Sequence, residues 1–260
     1  MAVRRASPYQ PFLFSATPSS VATAPATAPR YTTTMRAREL HGWNVSPAEA
    51  PALQTKLAAL VVRQNAMSAD VRHVAGVDLS PPDAHGVVAG AVVVLRYPEL
   101  AVVEVRLGRG VPSMPYIPDL LSFRESPVLL KAFEMLCIVP DVVLVDGQGI
   151  AHPRRLGIAS HLGVLLDVPM IGCAKSVLRG KFATPPDPQG TWSEMLDRGE
   201  VVGAALRTRN KGAPVYVSIG HKVDLPAAID WTMRCCRGYR LPEPTRLAHL
   251  AAAGRIPETV

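Results

Sequence analysis

Hydrophobic positions along the chain fall into two rhythms. Val142 to Val145 is a short, unbroken apolar run, the pattern of a strand covered on both faces. It ends at Asp146, and Gly147, Gln148 and Gly149 mark a turn. From Arg155 to Asp167 the residues Leu156, Ile158, Ala159, Leu162 and Leu165 recur at helical spacing, and Val168 to Ala174 returns to a strand pattern that stops at Lys175. Strand, helix and strand make a βαβ unit, which predicts an α/β fold. Upstream, Val71–Leu79, Val87–Tyr97 and Ala101–Leu107 read as strands and Pro127–Val139 as a helix. Downstream, Val201–Arg207 and Pro214–Ile219 read as strands and Pro226–Arg237 as a helix.

In open α/β sheets ligands bind beyond the carboxyl ends of the strands, and Asp146 and Lys175 both stand at such ends. A helix-capping aspartate and a surface lysine would look the same, so further acids decide the matter. Asp78 interrupts the apolar run Val74–Leu79, where a carboxylate is costly unless paired or bound to a cation. Glu125 closes a proline-bracketed aromatic loop that starts at Met114 and runs up to the predicted helix. Three carboxylates from separate elements suit Mg²⁺, which takes oxygen ligands together with water and phosphate. They also suit metal-assisted displacement at phosphorus.

Four blocks at these residues carry a resemblance: VAGVDLS around Asp78, PYIPDLLSFRE ending at Glu125, VDGQGIAHPRRLGIASHLG with CAKS at Lys175, and GYRLPEPTRLAH ending at His249. In this order, over Ala52 to about Ala251, they resemble endonuclease V, a family that nicks nucleic acid beside deoxyinosine. The resemblance implies an RNase H-like fold, a mixed central sheet flanked by helices. It implies Asp78, Glu125 and Asp146 as metal-binding carboxylates for Mg²⁺, with Mn²⁺ as a substitute, and Lys175 and His249 as further catalytic residues. His249 stands where the family has Asp or His, and an imidazole brings no negative charge to the metal. Lys175 would stabilise charge developing on the phosphate or orient the water.

For nucleic-acid binding the resemblance gives Tyr116, flanked by Pro115, Ile117 and Pro118, as a wedge between bases, with His152 and Arg124 as further contacts. Gly147 and Gly149, with Gly157, would let backbone approach the base or a phosphate. A rigid Pro-Tyr-Ile-Pro tip loses little entropy on binding, and apolar wedges unstack base steps. Asp119 replaces the glycine often found after this tip, and Cys173 reads as a buried hydrophobe. The implied reaction is hydrolysis of the second phosphodiester bond 3′ to deoxyinosine in DNA, leaving 3′-hydroxyl and 5′-phosphate ends. Inosine in RNA is the alternative substrate. A damage-recognition module that does not cut is the alternative from another class, and the intact acids argue against it.

With 260 residues, 48% hydrophobic and 19% charged, the chain suits one substantial globular domain. No apolar run is long enough to span a bilayer, and the four cysteines have no Cys-x-x-Cys spacing. A reducing cytoplasm is the simplest setting, and the resemblance suggests a monomer. The net charge of +7 looks like a nucleic-acid footprint, but five of those charges come from residues 1–38, which hold no acid. The body carries only +2, so its basic residues matter only if clustered, with Arg207, Arg209, Lys211, Lys222, Arg234, Arg237 and Arg240 as candidates. Residues 1–38 read as a disordered basic tail or a mis-set start with Met35 as initiator, and 39–260 as the catalytic domain. An organelle transit peptide also fits the tail's composition. Pro185–Gly190 reads as a surface loop separating the catalytic sheet from the later strands.

Overall fold

The structure, a computed structural model, describes residues 3–5 and 35–260. Nine strands form one mixed sheet: β1 (Val3–Arg5), β2 (His73–Leu79), β3 (Val88–Arg96), β4 (Ala101–Gly110), β5 (Val142–Val145), β6 (Met170–Ala174), β7 (Thr191–Asp197), β8 (Glu200–Leu206) and β9 (Val215–His221). Their spatial order is β1-β7-β8-β9-β6-β5-β2-β3-β4. Among the described residues, only β2 with β5 and β5 with β6 run parallel. The helices are α1 (Ala50–Ala58), α2 (Leu121–Glu134), α3 (Ile158–Leu166), α4 (Leu225–Arg234) and α5 (Glu243–Ala252). Three antiparallel strands leading into helix, strand, helix and strand is the opening of an RNase H-like fold.

Period-two alternation assigns each strand residue to one of two cores. Val74 of β2, Val142 and Leu144 of β5, and Ile171 and Cys173 of β6 face one side, against α4 through Ala228 and Ile229 and α5 through Ala248 and Ala251. Ala75 and Val77 of β2 and Val143 and Val145 of β5 face the other, against Leu129 and Phe133 of α2 and Leu162 and Leu165 of α3. The β5 run Val-Val-Leu-Val is buried throughout, as a central strand covered on both faces must be.

Several expectations need correction. The first long helix begins at Leu121, not Pro127, so Glu125 belongs to that helix and not to the loop before it. Pro127 lies inside α2, where it has no N–H for the Phe123 carbonyl; burial of Phe123, Leu129 and Phe133 holds the helix across that gap. The loop at Pro185–Gly190 does not separate two sheets, because β9 pairs with β6 and extends the same sheet. β7 was not foreseen: its inward residues include Thr191 and Ser193, which mask the apolar alternation. Nor was α1, whose inward face is Ala50, Gln54 and Leu57.

Among the described residues, 35–38 already pack against the body, ahead of the expected boundary at 39. Met35 is buried, and the Arg38 N–H donates to the Leu165 carbonyl at 2.7 Å. Of the predicted tail, Val3–Arg5 pair with β7, and residues 1–2 and 6–34 lie outside the described residues. No helix among the described residues is long and apolar enough to cross a membrane.

Candidate active site

Strand parity builds the site. In β2 the residues Val74, Gly76 and Asp78 share a face, in β5 Val142 and Leu144 are followed on that face by Asp146, and in β6 Ile171 and Cys173 are followed by Lys175. Val77 pairs with Val145 and Val145 with Gly172 in the parallel ladders, so the two aspartates leave adjacent strands side by side. α5 covers this face and supplies His249. Ligand atoms of Asp78, Asp146 and His249 all lie within 4.8 Å of one another.

Asp78 divides its oxygens. Oδ1 accepts the Leu79 N–H at 2.8 Å, while Oδ2 accepts from His249 Nδ1 at 2.7 Å and lies 3.7 Å from the Lys175 ammonium. Lys175 is ion-paired with Asp146 Oδ2. Asp146 does not cap a helix, since α3 starts twelve residues later at Ile158. Glu125 lies outside the close trio. Its helix packs on the opposite face of the sheet from α5, so it reaches the strand ends from the other side.

Burial and crowding raise two of the carboxyls. Burial first, then the charges of Asp78 and Asp146, push Glu125 up to about 7, against the pull of Arg124. Burial and Asp78 likewise raise Asp146 to about 6, although Lys175 and His249 oppose this. Burial disfavours the charge on Lys175, but its ion pairs with Asp146 and Asp78 outweigh that, and its pKa lies above the usual lysine value. The group is an ammonium at neutral pH.

The loop before α2 exposes Tyr116 at 70%, with Pro115 and Pro118 also exposed and Ile117 half-buried. Asp119 has φ +67°, a left-handed conformation for which glycine is best suited and aspartate is among the better substitutes. Arg124 points inward, its Nη1 donating to the Met114 carbonyl at 2.9 Å. His152 does the same. It is 3% exposed, its Nδ1 accepts the Arg154 N–H at 3.1 Å, and its Nε2 therefore donates to the Asp119 carbonyl at 2.9 Å. Burial lowers its pKa to about 4, so the ring is neutral. Both side chains brace the loop, Arg124 at Met114 and His152 at Asp119.

The glycines also answer to the protein. A Cβ on Gly149 would lie 2.0 Å from the Ile219 carbonyl oxygen, and one on Gly147 would lie 2.4 Å from Ile158 Cγ2. The close approach they permit is of backbone and side chains within the fold. The proposed basic cluster is largely spent internally too. Lys222 pairs with Asp167, Arg234 with Asp230 and Arg207 with Asp187, and Arg237 donates to backbone carbonyls.

Sequence reasoning passed over two braces of Lys175. Arg240 Nη2 donates to the Lys175 carbonyl at 2.6 Å and the Pro214 carbonyl at 2.8 Å. Gln148 Nε2 donates to the Ser176 carbonyl at 2.8 Å. Arg240 sits within the GYRLPEPTR block and Gln148 within DGQG, so position in those blocks was the available signal.

The family model for Endonuclease V matches residues 55–250. An endonuclease V from Gloeobacter violaceus is 52% identical over 213 residues, covering 81% of this chain and 86% of its own. The crystal structure of the Streptomyces avermitilis endonuclease V superposes with a TM-score of 0.75 at 40% identity, covering 85% of this chain and 95% of that one. The Ciona intestinalis endonuclease V, solved in complex with a 24-mer DNA containing an inosine followed by a ribo-adenosine, gives 0.68 at 30% identity, covering 80% and 95%. With acids at adjacent strand ends, a matching fold and half of the aligned residues shared with a relative, this chain belongs to the endonuclease V family of nucleases, which hydrolyse phosphodiesters.

Proposed function

We propose that the chain is a Mg²⁺-dependent endonuclease that recognises deoxyinosine, the product of adenine deamination, in DNA. It cleaves the second phosphodiester bond 3′ to the lesion, leaving 3′-hydroxyl and 5′-phosphate ends. The observation that carries this reading is the convergence of Asp78, Asp146 and His249 within 4.8 Å at the strand ends. The complex of the Ciona relative with inosine-containing DNA supports the choice of substrate.

The donor set fits a divalent cation. Asp146 Oδ2 is buried and met by the Lys175 ammonium, and burial and the neighbouring Asp78 raise the pKa of Asp146. Asp78, Asp146 and His249 would hold the ion, with Glu125 completing its surroundings. Bound there, the cation lowers the pKa of water and offsets phosphate charge. Glu125, held at about 7 without the ion, would be ionised once the cation binds and would then accept the proton of an attacking water. Lys175 faces the developing negative charge with an ammonium held in place by its carboxylate partners. Tyr116 unstacks the lesion, and extruding a poorly paired base costs less than extruding a normal one.

A second reading, inosine in RNA, is favoured by the ribo-adenosine that follows inosine in the Ciona complex. End-labelled DNA duplexes with and without deoxyinosine, and matched RNA, test both readings in Mg²⁺ and in EDTA with wild type and Asp146→Ala. A nick 3′ to the lesion, absent in EDTA and in the variant, is expected on DNA. Cleavage of RNA alone would transfer the reading to the ribonuclease, and binding without any cleavage would overturn both.

A further inference from the structure

A single backbone carbonyl at the foot of the Tyr116 loop collects three side-chain donors. Asp119 O accepts from Gln54 Nε2 at 2.8 Å, His152 Nε2 at 2.9 Å and Arg154 Nη2 at 3.3 Å. Gln54 is the unexpected member. It comes from α1, outside the four blocks, it is fully buried, and its Oε1 accepts from Arg154 Nε. Arg124 holds the other foot of the loop at the Met114 carbonyl. Between these feet stand only Pro115, Tyr116, Ile117 and Pro118.

Surface loops ordinarily leave such carbonyls to water, and a buried glutamine gives up side-chain entropy to be there. Met114, Leu120 and Phe123 also pack with Ala50, Leu53 and Ile117 in a small core of their own. α1 and the loop are therefore one unit. A wedge transmits force to a base stack only if its foot does not yield. Three donors on one oxygen, at a residue already in the left-handed region, fix the direction in which the tip leaves the protein.

We infer that Gln54 is a positioning residue for base extrusion: with His152 and Arg154 it anchors the Asp119 carbonyl and so aims Tyr116 into the duplex. This rests on the wedge reading above. Gln54 is fully buried and hydrogen-bonds Asp119 and Arg154, so it acts through the loop.

Gln54→Glu isolates the contact. It keeps the size of the side chain and an acceptor for Arg154, but sets an oxygen against the Asp119 carbonyl. Gln54→Met removes both bonds at similar volume. Two readouts distinguish aim from general damage: single-turnover nicking of deoxyinosine in a duplex and in a single strand, and fluorescence of 2-aminopurine beside the lesion in a duplex bound in EDTA. Both variants are expected to nick the duplex about tenfold more slowly, the scale of one buried carbonyl losing a donor. Their aminopurine signal should fall, and their single-strand rate should stay within about twofold of wild type, where little unstacking is needed. Duplex nicking at the wild-type rate would overturn the inference, and so would equal losses on both substrates. Wild type failing to nick either substrate would instead bring down the proposed function itself.

Discussion

Glu125→Gln in the metal-free protein tests the electrostatics of the site most directly. Burial and the charges of Asp78 and Asp146 hold the Glu125 carboxyl at about 7, against an ordinary value of 4.5. Between those pH values the folded protein keeps a proton that the unfolded chain has released. Stability without metal is therefore present below about 4.5 and is lost as pH rises to about 7. At about 1.4 kcal/mol per pH unit the loss is about 3 kcal/mol. For a chain of this size that corresponds to about 6–12 °C in melting temperature. Glutamine has the same shape and no titration. In EDTA the variant should match wild type near pH 5 and melt higher by that amount at pH 8. Asp146 adds a slope of its own to both proteins, so the difference between the two curves belongs mainly to Glu125. Thermal melts across pH 5–8 measure it. Parallel curves would refute the reasoning by placing the Glu125 carboxyl in ordinary solvation.

Cation binding should release protons between about pH 6 and 7, because Asp146 and Glu125 must both lose theirs; calorimetry in buffers of different ionisation enthalpy reads the number released. Gly76→Ala should cost several kcal/mol in denaturant unfolding, since its Cβ would lie 1.9 Å from the Pro244 carbonyl oxygen and α5 would have to move. The same shift draws His249 from Asp78, so cation affinity should fall with stability. Arg240→Ala leaves the Lys175 and Pro214 carbonyls without their donor, at about 2 kcal/mol of stability. Because it acts through Lys175, nicking should fall in kcat more than in KM, and an unchanged kcat would remove Arg240 from that role.

Most of the sheet was legible because β2, β3, β5 and β6 are apolar on two faces and interrupted only at chemically loaded positions. A lone acid in VAGVDLS and another at the end of VVLV stand out against such a background. What escaped was coded in polar residues that fold inward. Thr191 and Ser193 conceal β7, and Gln54 conceals the buried stripe of α1. Pro127 suggested a helix start because proline usually avoids helix interiors, yet packing of Phe123 and Phe133 carries α2 across it. His152 and Arg124 were singled out by their places in the motif blocks, which do not show that they bond to the loop. The hydrogen bonds that turn them inward join residues 33 and 10 positions apart, a separation at which no local pattern operates.

Why three chemical groups converge while a fourth stands apart follows from the same alternation. In parallel neighbours, residues in register point to the same face, so Asp78 and Asp146 one step beyond the paired Val77 and Val145 must emerge together. Lys175 follows Cys173 by two and emerges with them. A one-residue slip of any of these strands would carry its side chain to the α2 face and empty the site. Glu125 is free of that constraint because it comes from a helix on the α2 face, and its distance from the trio leaves it buried beside two negative charges rather than drawn into their ion pairs with Lys175. The position that keeps Glu125 apart from Asp78, Asp146 and His249 is thus also the one that, without metal, holds its carboxyl at about 7.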